Sequence, residues 1–258
     1  MKLGLVDKKI LISGASKGIG LAIARGFAIE GAKVWLLARS ADRLKAVQQE
    51  LRSQFGQNKV MSSPCDCGDL SQLDEVKSRI EEKWGTLDTI VSNVGDGRSV
   101  SDALPGEDSW KKTWQENFET ALNSSRAFLP SIRSNNGSLL FISSIAGIEA
   151  FGAPTDYSTA KSAIHALSKN LARKLAPKIR VNVIAPGNVL FPGGVWDQKR
   201  KKDERLVNEM LKVQVPMQRF ATPEEIADSV IFLSSDRAKF ITGTTLTIDG
   251  GQTVGIWH

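Results

Sequence analysis

Lys8-Lys-Ile-Leu-Ile-Ser13 runs into Gly14-Ala-Ser-Lys-Gly18-Ile-Gly20, and Leu21 to Glu30 follows. The first segment is a short apolar strand and the last a helix, so the glycines fall on a strand-to-helix turn. That is the context in which a glycine-rich turn cradles phosphate. Glycines let the backbone approach a pyrophosphate closely, and a helix N-terminus offers free N–H groups and the positive end of its dipole. The spacing is GxxxGxG, which makes Gly14, Ser16, Lys17, Gly18, Ile19 and Gly20 candidate cofactor contacts.

Strand and helix patterns alternate along the rest of the 258 residues. Gly31 to Ala38 reads as a second strand, Ala41 to Phe55 as an amphipathic helix, and Val60 to Cys65 as a third strand. Leu73 to Trp84 reads as a helix, Leu87 to Ser92 as a strand, and Asp108 to about Asn135 as one long helix. Ser138 to Ser144, Lys178 to Ala185 and Thr245 onward read as further strands, and Thr222-Pro-Glu-Glu225 as a capped helix start. Such alternation predicts α/β: a single doubly wound, Rossmann-like domain over 1–258 with a parallel sheet of roughly seven strands.

The second strand carries cofactor information. An acid at its end takes the ribose 2′-hydroxyl of NAD in dinucleotide folds, but here the chain reads Ala38-Arg39-Ser40. Arg39 suits a 2′-phosphate, with Lys17 approaching from the glycine loop. Each charge-assisted hydrogen bond contributes about 1.5–3 kcal/mol, so two give NADP(H) a preference of roughly 10²-fold or more over NAD(H).

A second stretch carries the chemistry: Ser144-Ile-Ala-Gly, then Tyr157-Ser-Thr-Ala-Lys161. Ala160, Ile164, Leu167 and Leu171 give the segment after Tyr157 a helical period, so Tyr157 and Lys161 share a face. A nearby ammonium lowers a tyrosine pKa from ~10 and makes the phenol a usable acid or base. Ser144, ending an apolar strand, can hold a carbonyl oxygen across the crevice.

This combination resembles the short-chain dehydrogenase/reductase family, from Lys9 to Gly251. The resemblance implies hydride transfer between NADP(H) and a carbonyl or secondary alcohol, with Tyr157 as general acid/base. It makes Ser144 the oxygen holder and gives Lys161 the nicotinamide ribose. Asn117 matches the family residue that holds a relay water. The resemblance also assigns cofactor contacts to Asp66, Cys67, Asn93, Gly95, Pro186, Gly187 and Val189. The chain departs from the pattern at Ser13 (Thr is usual), Val94 (Ala) and Phe191 (Thr). Phe191 puts the usual carboxamide clamp in doubt. The family pairs the Asn117 and Tyr157 helices between subunits, which implies a homodimer or homotetramer, and the tail Gln252 to His258 is expected to pack on a neighbour. His165 reads as a packing or interface residue.

Residues 191–215 fall where such enzymes place a mobile lid, with Pro192-Gly-Gly194 as a hinge. Phe191, Val195 and Trp196 are candidate substrate contacts, with Met210 near them. Lys199-Arg-Lys-Lys202 reads as a solvated face.

Composition bounds the alternatives. A hydrophobic content of 41% allows a large core, and net charge is +6 with the cations scattered, which fits an enzyme for anionic ligands without nucleic acid. Cys65 and Cys67 flank Asp66 and are expected as reduced thiols; no other Cys and no nearby His completes a metal site. The N-terminus is too polar for a signal peptide, and no run approaches the ~18 apolar residues of a membrane span. A cytoplasmic protein without a membrane partner is expected. A dehydratase- or epimerase-like reaction, or cofactor sensing without turnover, are the rival readings on this scaffold.

Overall fold

The computed structural model describes residues 2–132 and 137–256. Its sheet has seven parallel strands: β1 (Lys9–Ser13), β2 (Lys33–Ala38), β3 (Val60–Pro64), β4 (Thr89–Ser92), β5 (Ser138–Ile142), β6 (Arg180–Pro186) and β7 (Thr245–Ile248). The order is β3-β2-β1-β4-β5-β6-β7. The order reverses between β1 and β4, and in an open α/β sheet the ligand crevice lies at the carboxyl ends of the strands at that reversal.

Helices cover both faces, and the strand period decides which residues meet which layer. Ile10 and Ile12, with Val34 and Leu36, face α1 (Gly18–Ile29), α2 (Ala41–Phe55) and α9 (Pro223–Ser234), where Phe27, Leu44 and Ile226 are buried. Leu11, Trp35 and Leu37 face α3 (Leu70–Trp84), α5 (Thr120–Ile132) and α6 (Thr155–Leu175), with Leu73, Phe128 and Ile164 buried among them. Because both faces are covered, β1, β2 and β5 carry continuous apolar runs rather than alternating ones.

Some boundaries differ from the sequence reading. The long helix begins at Glu107 and changes character twice: α4 spans Glu107–Trp114, a π-helical turn spans Gln115–Glu119, and α5 follows. Its expected end near Asn135 lies outside the described residues, as do Trp257 and His258 of the tail. The region after β6 forms two helices, α7 (Val195–Lys202) and α8 (Glu204–Gln214), with Asp203 capping the second through the Leu206 amide at 2.9 Å. Thr222 and Glu225 form the reciprocal cap expected for α9. Cys65 and Cys67 are buried free thiols. Among the described residues, no helix is long and apolar enough to cross a membrane.

Candidate active site

A cleft of about 730 Å³ opens along the carboxyl ends of the strands. At one end sits the glycine loop. Asn93, following β4, ties it down: its amide nitrogen donates to the Ser13 and Gly14 carbonyls at 3.3 Å, and its backbone N–H donates to the Ser13 hydroxyl at 3.0 Å. The loop has no room for side chains. A Cβ on Gly20 would lie 2.3 Å from the Gly14 carbonyl oxygen and 2.5 Å from the Asn93 amide nitrogen. No side chain caps the start of α1, and its first turn holds no acid, so its N-terminus faces the cleft as an anion site. Bare backbone, an uncapped helix start and the cations Lys17, Arg39 and Arg43 along the same wall fit a dinucleotide phosphate.

The end of the cleft beside β2 and β3 is lined by Arg39, Ser40, Cys65, Asp66 and Cys67. Asp66 also orders its own turn, accepting from the Gly68 amide at 2.9 Å, while Asp69 caps α3. Cys65 and Cys67 act on each other: the hydrogen bond with Cys67, then burial, push the Cys65 thiol up, while hydrogen bonds with Cys65 and Ser124 hold Cys67 down against burial.

Toward β5 and α6 the cleft gathers Ser144, Tyr157, Lys161 and Asn117. Ser144 ends its strand segment by accepting from the Ala146 amide at 3.1 Å. Lys161 is 4% exposed; its ammonium donates to the Ile142 carbonyl at 3.3 Å and lies 5.8 Å from the centre of the Tyr157 ring. Asn117, on the π-helical turn, is 1% exposed. Its amide donates to the Thr113 and Asp96 carbonyls at 3.0 Å, and its oxygen accepts from the Asp96 amide at 3.0 Å. Gly95 joins these groups: a Cβ there would lie 2.7 Å from the Lys161 nitrogen and 2.9 Å from the Asn117 oxygen.

The electrostatics correct one expectation. The Tyr157 pKa is raised here, not lowered. Burial dominates and raises the phenol above its ordinary value, the Ser144 hydroxyl opposes this in part, and the Asp96 carboxylate adds to it. Burial also drops Lys161 to about 8. The i,i+4 spacing brings the pair together, as read, but desolvation of both groups outweighs their mutual effect.

Asp96 and Asp156, absent from the sequence reading, and His165, read there as a packing or interface residue, complete the site. Asp96 follows Gly95 and binds the Arg98 guanidinium. Burial raises its carboxyl, yet the Arg98 hydrogen bonds leave it below the ordinary value. Asp156, 1% exposed, accepts from the Ser99 hydroxyl at 2.6 Å and from the Tyr157 amide at 2.8 Å. It thereby ties the loop after β4 to the start of α6. His165 accepts or donates between the Ser143 hydroxyl (2.9 Å) and the Thr245 hydroxyl (3.0 Å), and burial lowers its pKa. These roles depend on long-range packing, and no local spacing announces them.

Pro186, Gly187 and Val189 border the cleft after β6, with the Gly187 amide donating to the Ile248 carbonyl at 2.9 Å. Phe191 lies in the cleft too, but against the glycine loop: a Cβ on Gly18 would meet its ring at 2.8 Å. Val195 and Trp196 line the far wall. Trp196 packs on Phe220 with ring centres 5.5 Å apart, and the Lys199 ammonium sits 4.5 Å above it. Met210 accepts weakly from the Asn188 amide at 3.8 Å.

A parallel sheet of this order, a glycine loop at its reversal and a Ser–Tyr–Lys group on the next strand and helix define an α/β oxidoreductase site. The chain belongs to the short-chain dehydrogenase/reductase family; the family model described as enoyl-(acyl carrier protein) reductase matches residues 14–253. It is 34% identical over 253 residues to a 3-oxoacyl-(acyl-carrier-protein) reductase of Chlamydia trachomatis, covering 96% of this chain and 98% of the relative. It is 32% identical to a trans-4-hydroxycyclohexanecarboxylate dehydrogenase of Sinomonas cyclohexanicum, covering 97% and 95%. Among solved structures, the L-sorbose reductase of Gluconobacter frateurii, complexed with NADPH and L-sorbose, superposes with a TM-score of 0.92 at 31% identity. That match covers 99% of this chain and 100% of the other. The protein is thus an oxidoreductase of this family.

Proposed function

We propose that the chain reduces a small-molecule carbonyl to a secondary alcohol, or runs the reverse reaction, with NADP(H) preferred over NAD(H). The observation that carries this is the convergence of Ser144, Tyr157 and Lys161 on one cleft whose opposite end is the glycine loop. A bound nicotinamide supplies or accepts the hydride. Ser144 and Tyr157 hold the substrate oxygen. The phenol, raised by burial, stays protonated at neutral pH, so it donates its proton to the oxygen as negative charge develops there. Lys161, at about 8, is mostly charged at pH 7 and stabilises the phenolate left behind. Asn117 fixes the loop after β4 and keeps Lys161 beside Gly95, where a water can pass protons onward. Lys17 and Arg39 receive the 2′-phosphate.

Residues 191–215 act as the substrate cover, with Gly193 at φ +73° providing the bend. Val195 and Trp196 present an apolar and aromatic wall to substrate. Phe191 shapes the cofactor side instead, given its contact with Gly18. The relatives turn over different carbonyls and alcohols, so their names leave the particular substrate open. Self-association through α4, α5 and α6 into a dimer or tetramer, and a cytoplasmic location, complete the proposal.

The test is consumption of NADPH and NADH, in parallel, against a panel holding an acetoacetyl thioester, cyclic ketones, ketoses and aryl ketones. Turnover with at least one carbonyl, faster with NADPH, is expected. Turnover that prefers NADH refutes the cofactor assignment. Absence of turnover across the panel, with dinucleotide still bound, refutes the carbonyl assignment for these classes.

A further inference from the structure

Arg39, the cation assigned to the 2′-phosphate, already faces an anion. Its guanidinium Nη1 lies 3.9 Å from Glu116 Oε1, across the adenosine end of the cleft. Arg39 is 68% exposed there and Glu116 only 27%, so the carboxylate is the more fixed partner. Glu116 also acts on Arg98, contributing to the rise of that guanidinium.

The local backbone explains why Glu116 stands there. It lies on the π-helical turn Gln115–Glu119 between α4 and α5. Its neighbour Asn117 is locked inward by bonds to Thr113 and Asp96. The Thr120 hydroxyl binds the Glu116 carbonyl at 3.0 Å. The turn therefore holds the Asn117 amide in the active site and the Glu116 carboxylate in the cofactor end of the same cleft. π-helical turns inside α-helices recur at functional sites because the extra residue re-aims its neighbours.

We propose that Glu116 is a specificity-determining residue that opposes Arg39 in the choice between dinucleotides with and without a 2′-phosphate. The proposal rests on the assignment of this cleft to NADP(H). Glu116 stands beside the guanidinium that would receive the phosphate. A 2′-phosphate must take Arg39 from the carboxylate and then sit beside that negative charge. A ribose without the 2′-phosphate meets no such repulsion. Glu116 thus narrows the NADP(H) preference that Lys17 and Arg39 create. The charges facing Glu116 are Arg39 and Arg98; Lys112 and Asp96 line the same cleft. A half-screened repulsion at this range corresponds to about a 3- to 10-fold change in affinity, larger at low salt.

Dissociation constants for NADPH and NADH, with adenosine 2′,5′-bisphosphate and 5′-AMP as probes lacking nicotinamide, are measured on the wild type and on Glu116→Gln, with melting temperatures as a check on folding. Glu116→Gln is expected to tighten NADPH and the bisphosphate about 3- to 10-fold and to leave NADH and 5′-AMP within about 2-fold. Unchanged or weaker NADPH binding overturns the proposal while the NADP(H) reading stands. Equal tightening of both dinucleotides also overturns it, since the repulsion then acts on the pyrophosphate. A wild type that binds NADH and 5′-AMP but neither 2′-phosphorylated ligand overturns the NADP(H) reading itself and the proposal with it.

Discussion

Lys161→Met is expected to make the ligand-free protein more stable at pH 7 while removing its activity. Lys161 is 4% exposed, and the one hydrogen bond its ammonium makes to a described group is to the Ile142 carbonyl at 3.3 Å. Burial drops its pKa from 10.5 to about 8. At about 1.36 kcal/mol per pH unit, that drop corresponds to ~3 kcal/mol of destabilisation by the buried charge. The folded state holds the proton more weakly than the unfolded state. The penalty is therefore fully present below pH 8, fades between pH 8 and about 10.5, and is absent above. Methionine keeps most of the side-chain volume without the charge. For a chain of this length each kcal/mol moves the melting temperature by about 2–4 °C. After some loss of packing, Lys161→Met should melt about 3–9 °C higher at pH 7, and the gap should shrink as pH rises from 8 to 10. Thermal melts across pH 6–10 measure this. A variant that melts lower than wild type at pH 7, or a gap that widens with pH, refutes the desolvation argument.

Three further outcomes follow from the geometry. Gly95→Ala places a methyl within 3 Å of both the Lys161 nitrogen and the Asn117 oxygen; kcat should fall at least about 10²-fold, measured by steady-state turnover, while the sheet keeps its circular dichroism. Arg39→Ala removes one 2′-phosphate partner and should weaken NADPH about 10-fold or more, with NADH changed less than about 3-fold, by direct titration. Asp156→Asn leaves the Ser99 and Tyr157 contacts with a weaker acceptor in a buried place and should cost about 1–3 kcal/mol in denaturant unfolding.

The topology was legible because β-strand runs and helical periods are local signals, and because a glycine loop at a strand-to-helix turn fixes where the sheet reverses. The pairing of Tyr157 and Lys161 was legible for the same reason, since i,i+4 neighbours on a helix meet whatever the fold around them. The direction of the Tyr157 pKa was not. Spacing gives the distance between charges, while desolvation comes from segments far away in sequence, such as the loop after β4, where a Cβ on Gly97 would lie 3.7 Å from the Tyr157 ring. The position of Phe191 suits both an aromatic wall beside the nicotinamide and a substrate contact; its ring lies against Gly18, a contact between residues 173 positions apart that no local pattern shows. The π-helical turn was hidden because one added residue per turn leaves the apolar period of the long helix almost intact. Glu116 and Asn117 both lie on that turn. Asp156 gave no signal, because its partners Ser99 and Ser109 are common surface residues in sequence and become a buried acceptor's donors only once the chain is folded.

The central claim is that Tyr157 moves the proton during carbonyl reduction. Tyr157→Phe keeps the ring and removes only the hydroxyl. Single-turnover oxidation of bound NADPH by a carbonyl the wild type reduces measures the step directly. The account predicts a rate about 10²–10⁴-fold lower in Tyr157→Phe, with the dissociation constant for NADPH within about 3-fold of wild type. A variant that reduces the carbonyl at the wild-type rate would contradict it.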